Sequence, residues 1–300
     1  MLGKLLKHEW KATWKLPAAL AAFTLIMTIL GCLSFKMPLW GMLVSDSMED
    51  FTFFDLLPVV ILITYFISVI VSVYAVMIYF AIRFYKNLFT DEGYLMHTLP
   101  VKPRMLLISK LLTSAFWSLV STLLMLCSML LLLYFMLRTL IGETDWNMVT
   151  TVLSEITPEI DTVFREYGGM SLAGAGTLFL VILIAGSFSG MLLIYVCICI
   201  GQLFKKHKVA ASIIAYLVVT SITQTISSIA VLPFSFSAML KIEETTSNII
   251  TSATSPMTAV FAPMASMMPI YYVSLALSLI SAVACYFVSE YITRRKLNLD

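Results

Sequence analysis

Three short strings in this chain have the residue types of known chemistries, and each fails at one position. His8-Glu9 opens the H-E-x-x-H pattern, but position 12 is Ala, so no second imidazole joins the first on one helix face to hold zinc. Gly186-Ser187-Phe188-Ser189-Gly190 has the outline of a nucleophile elbow, yet Phe188 stands where the serine must be. Cys197 and Cys199 form C-x-C within an apolar run, with no His or carboxylate near to complete a metal site. The five cysteines, Cys32, Cys127, Cys197, Cys199 and Cys285, all lie in apolar runs and read as small buried apolar side chains. The chain has no G-x-x-x-x-G-K-S/T string, so it is not expected to bind and hydrolyse ATP through a P-loop. It reads as a non-enzyme with no catalytic residues, no metal site and no cofactor of its own.

What remains is polar chemistry without charge. Thr220, Ser221, Thr223, Gln224, Thr225, Ser227 and Ser228 form a run of hydrogen-bonding side chains inside an apolar stretch. Such groups line a path without the cost of burying charge, or bond back to their own helix carbonyls. Thr220, Thr223, Gln224 and Ser227 are the candidates for a translocation path. Gly186 and Gly190 make G-x-x-x-G, with Gly174 and Gly176 upstream, a spacing that lets helix backbones approach closely in lipid.

These residues need elements to hold them, and composition says which. The chain is 60% hydrophobic and 12% charged, with a mean hydropathy of +0.95. A soluble domain carries about 25% charged residues. Six segments are long enough to cross a hydrocarbon core of about 20 residues: 17–35, 56–82, 107–137, 171–203, 209–239 and 268–289. The stretch from Pro17 is too long for a signal-peptide core and has no small-residue cleavage site, so it reads as a retained span. The expected class is an all-α integral membrane protein with one transmembrane domain over 1–300.

Charge orients the spans. Basic residues gather at Lys4, Lys7, Lys11 and Lys15; at Arg83, Lys86, Lys102, Arg104 and Lys110; at Lys205, Lys206 and Lys208; and at Arg294, Arg295 and Lys296. These are fifteen of the nineteen, all on one side of a six-span path; only Lys36, Arg138, Arg165 and Lys241 fall on the other. The positive-inside rule then makes both termini cytoplasmic in the cell membrane. Segments 138–170 and 240–267 become extracellular loops, the first holding a short amphipathic helix broken at Pro158, the second, broken by Pro256 and Pro263, either a re-entrant or external hairpin or a plain loop. Residues 1–15 read as an interfacial helix: Leu2, Leu5, Leu6, Trp10 and Trp14 share one side, and Lys4, Lys7, Lys11 and Lys15 lie within about 80° on the other. Within the spans there is almost no ionisable side chain, which argues against ion coupling. Lys110 and Glu290 sit near cytoplasmic ends, where snorkelling is expected to suffice.

Between the second and third spans lies the most specific string, residues 84–101: Phe-Tyr-Lys-Asn-Leu-Phe-Thr-Asp-Glu-Gly-Tyr-Leu-Met-His-Thr-Leu-Pro-Val. It is a cytoplasmic connection whose apolar content calls for burial against a partner or against the chain's own helix ends. Asp91 and Glu92 favour the start of a short helix over 92–98, which Pro100 and Pro103 end. This string resembles the coupling region of ABC-2 type permeases, the transmembrane subunits of bacterial ABC exporters, especially of Gram-positive type. The general layout is similar too, apart from the sizeable 138–170 loop. The resemblance implies a dimer, with a second copy or a paralogue, docked on two separate ATPase subunits that bind ATP and Mg. It assigns the ATPase contact to Phe84, Leu88, Asp91, Glu92, Gly93, Tyr94, Leu95 and Leu99. The expected function is permease of an exporter that moves an amphipathic or hydrophobic cargo, such as a peptide, antibiotic or lipid-like molecule. The alternatives are a non-transporting multi-span sensor or assembly factor, and then an ion-coupled carrier. Membrane lipid is an expected partner and nucleic acid is not.

Overall fold

The computed structural model describes residues 2–37, 39–40, 56–90, 103–141, 146–204, 206–251 and 256–295. Among these the longer elements are all helices: α1 (Leu2–Thr13), α2 (Lys15–Ser34), α3 (Leu57–Phe89), α4 (Pro103–Ile141), α5 (Trp146–Gly168), α6 (Leu172–Gly201), α7 (Lys208–Thr251), α8 (Pro256–Ser266) and α9 (Met268–Arg295). Six stretches are long and apolar enough to cross a membrane: Lys15–Ser34, Leu57–Phe89, Arg104–Thr139, Leu172–Gly201, Lys208–Glu243 and Val260–Thr293. Each exposes large aliphatic side chains, among them Ile29, Ile67, Leu130, Leu180, Leu217 and Ile280. Water tolerates no such continuous apolar surface, whereas hydrocarbon does, provided the backbone bonds internally as a helix allows.

The chain divides into two compact units. The first comprises residues 1–84 and 105–150. Its core joins Phe35, Tyr65, Val69 and Leu132, with Met27, Trp40, Leu62, Met125 and Phe135 packed around them. Tyr65 is fully buried and its hydroxyl shares a hydrogen bond with Ser128 of α4. Gly31 lets α2 come close here: a methyl at that position would lie 3.2 Å from Leu132 and 3.3 Å from the Tyr65 ring. The Trp40 indole donates to the Ser34 carbonyl at 3.0 Å, tying the chain back at the end of α2.

The second unit comprises residues 85–104 and 151–300. Here α6 packs on both α7 and α9, and α7 also contacts α8 and α9. The α6–α7 connection is closed by a near-contact of backbones: Gly201 stands so close to Ser212 that a methyl would fall 2.6 Å from its backbone nitrogen. His207 makes the turn in the left-handed region, at φ 55°, and α7 starts at the next residue. Residues 138–170, expected as a loop with a short broken helix, instead hold the 23-residue α5, which runs through Pro158. Ile160 and Phe164 of α5 pack with Ala265 of α8 and Met268 of α9. Asp161 ties α5 to the start of α6: its Oδ1 accepts from the Leu172 N–H at 2.7 Å. Ser171 caps α6, its hydroxyl accepting from the Gly174 N–H at 3.1 Å. Residues 240–267, expected as a hairpin or a plain loop, carry the last turns of α7 and the whole of α8.

Candidate functional site

The only acidic residue among the first forty-five is Glu9, and α1 buries it. Its Oε1 accepts from Lys110 Nζ at 2.6 Å and its Oε2 faces Arg83 Nη2 at 3.4 Å. Lys110 stands near the start of α4 and Arg83 near the end of α3, so one carboxylate joins three helices. Lys110 is itself 5% exposed. Thr13, one turn on, is buried and donates to the Glu9 carbonyl at 2.8 Å. The neighbouring Trp10 lies against α4 as well, with ring centroids 4.8 Å from Phe116 and 5.4 Å from Trp117. The α1 lysines Lys4, Lys7 and Lys11 all stay exposed. So α1 faces the first unit with an acid and an aromatic, and faces away with its cations.

The second unit holds a comparable pair. Glu290, in the last turns of α9, is 8% exposed and accepts a hydrogen bond from Arg104 Nε, one residue into α4. Snorkelling, expected for Lys110 and Glu290, therefore gives way to burial with a partner: a charge that stays inside is kept there by an opposite charge in contact. Next to Glu290, Ser289 and Thr293 are buried, and the Cys199 thiol lies 3.9 Å from the Thr293 hydroxyl.

Of the residues assigned to the connection between the second and third spans, Phe84 and Leu88 are each 1% exposed, in the last turns of α3. The Tyr85 and Phe89 rings lie tilted to each other, with centroids 6.4 Å apart. Asp91, Glu92, Gly93, Tyr94, Leu95 and Leu99, with the short helix over 92–98, lie outside the described residues. The four path candidates sit along α7. Thr223 donates back to the Val219 and Thr220 carbonyls at 2.9 and 3.0 Å, and Thr225 and Ser228 also bond their own helix. The Thr220 hydroxyl is buried without a partner among the described residues, and Gln224 points outward. Gly186 is exposed and a methyl there would touch nothing among the described residues. The close approaches fall at Gly31 and Gly201 instead. Four of the cysteines are buried, as their apolar setting suggests, but Cys127 is exposed. Among the described residues no three His, Cys, Asp or Glu side chains come together in a way that would hold a metal ion.

The Glu9 tie was missed in the sequence, though a signal for it was there. On a helical wheel at about 100° per residue, Glu9 falls between Leu5 and Leu2, inside the apolar arc and away from the lysines. An acid there has no water to face and needs a buried cation. Lys110, alone in an apolar run, is the matching anomaly.

No protein-family model, no curated protein and no solved structure matches this chain.

Proposed function

We propose that this chain is the membrane-embedded permease subunit of an ATP-driven exporter, working with separate ATPase subunits. The observation that carries this reading is the 84–101 string, an apolar and aromatic connection between two helices long enough to span a membrane. A segment of that composition next to water asks for a protein surface to cover it. The burial of Phe84 and Leu88 and the ion-paired anchors on α3 and α4 support it, because a connection that transmits force needs firm ends. In this reading residues 92–98 form the coupling helix, α1 lies in the headgroup plane with its lysines toward water, and both termini are cytoplasmic at the cell membrane. Two copies, or this chain and a paralogue, enclose the path.

The test is to purify the chain from its native membranes and identify what P-loop ATPase comes with it. Replacing Tyr94 and Leu95 with Ala should then weaken that association or the turnover it stimulates, while membrane insertion stays normal. Association and transport that both survive the replacement would refute the coupling role.

For the cargo we propose an amphipathic molecule. Thr223, Thr225 and Ser228 spend their hydroxyls on their own helix, whereas Gln224 is exposed and its amide is long enough to meet a neighbour or a cargo. Gln224→Leu should change export of hydrophobic peptides or antibiotics at unchanged expression. Selective transport of a small hydrophilic solute, indifferent to this substitution, would overturn it.

A further inference from the structure

We propose that Glu9 is a positioning residue: it clamps the N-terminal helix to the two helix ends that deliver the cytoplasmic connection, so that α1 moves with them as one piece. The connection leaves α3 at Phe89 and re-enters at α4 from Pro103. Arg83 stands six residues before the first point and Lys110 seven after the second. Glu9 gives one oxygen to each, at 3.4 and 2.6 Å. Beside it, Thr13 bonds the Glu9 carbonyl and Trp10 lies on Phe116 and Trp117.

Stability alone is a poor account of this arrangement. Well-packed apolar side chains can replace a whole buried ion-pair set at little or no loss, so a Leu at position 9 together with apolar residues at 83 and 110 would serve adhesion as well. It would complete the apolar arc of α1 and slide freely along other apolar surface. A carboxylate bridging two cations on two helices does what an apolar contact cannot: it fixes the register of α1 against both at once, because any slip draws the buried Glu9 carboxylate away from its cations. A helix of twelve residues is marginal by itself. Its order therefore reports on the clamp. Resting on the permease reading, the clamp makes α1 part of the lever through which the ATPase acts.

The experiment uses the full-length chain in lipid nanodiscs and follows amide hydrogen exchange. Glu9→Gln keeps shape and removes charge; it should speed exchange in α1 by about tenfold, with α6 and α9 unchanged. Lys110→Met should do the same, and the double variant should be no worse than the stronger single, because both remove one shared interaction. Additive effects, or α1 exchange that stays at the wild-type rate, would overturn the clamp. Should Glu9→Gln fail to insert, Glu9→Leu gives the same exchange readout. With the co-purified ATPase, Glu9→Gln should cut stimulated turnover about tenfold with association intact; unchanged turnover would sink the lever. If no ATPase associates with the wild-type chain, the permease reading falls while the exchange result still judges the clamp.

Discussion

A missing methyl group decides how α6 meets α7. At Gly201 an added Cβ would lie 1.9 Å from the Ser212 hydroxyl and 2.6–2.7 Å from its backbone. A hydroxyl can rotate away, but helix backbone one turn into α7 cannot. Gly201→Ala should therefore destabilise the folded chain by about 1–3 kcal/mol, the range for overpacked sites, despite alanine's better helix propensity. Thermal unfolding in mild detergent measures this; a variant as stable as wild type would show that α6 and α7 can part without cost. Gly186 is the control, since open space surrounds it. Gly186→Leu should leave the single chain's stability unchanged and disturb only contacts between two copies. Loss of monomer stability in that variant would mean a neighbour within the chain. The G-x-x-x-G spacing was visible in the sequence and Gly201 was not. Spacing identifies small residues on a helix face, but only the path of the chain says which of them a second backbone approaches.

At the level of elements, α5 and α6 are joined by one carboxylate. The Leu172 N–H bonded to Asp161, and then the Arg165 guanidinium beside it, hold this carboxyl below the usual carboxylate range. A lowered folded-state value means stability that is present above the ordinary Asp value of about 3.9 and is lost as pH falls through the folded value. Wild type and Asp161→Ala should thus differ in thermal unfolding at pH 6 and converge below that range. A gap that persists in acid would assign the effect to packing rather than charge. Several span limits were legible within a few residues, as 17–35 against Lys15–Ser34 and 107–137 against Arg104–Thr139 show, while Leu57–Phe89 runs seven residues past 82 and Val260–Thr293 begins eight before 268. An apolar run of membrane length allows little freedom. The 138–170 and 240–267 segments were not legible, because Ser, Thr and Pro mark loops in water. Pro158 removes one backbone bond, and Ile160 and Phe164 outweigh it by packing against α8 and α9. Glu9 and Lys110 were readable as two anomalies, but nothing in one sequence says that anomalies a hundred residues apart meet.

For the whole molecule, orientation is the property on which the functional reading depends. Fifteen of nineteen basic residues fall on one side of the six-span path. In a background without the native cysteines, single cysteines at 145 and 245 should react with impermeant thiol reagents on intact cells. Those at 92 and 206 should not. The opposite pattern would place the connection outside and remove it from reach of any cytoplasmic ATPase.

The length of α7 has a consequence of its own. Its 44 residues make a rod of roughly 66 Å at ~1.5 Å per residue. Hydrocarbon fills only about 30 Å of that. About half of the rod must stand clear of the lipid, and the charges Lys241 and Glu243 mark its C-terminal end as the part that does. That end is within reach of a protease added to one face of a sealed vesicle. A cut there leaves two pieces: five of the six candidate spans in one, and Val260–Thr293 in the other. Both remain in the membrane, where α9 still lies against α6. A nick there should therefore leave a two-fragment complex, and co-elution of the two pieces in mild detergent after proteolysis checks it.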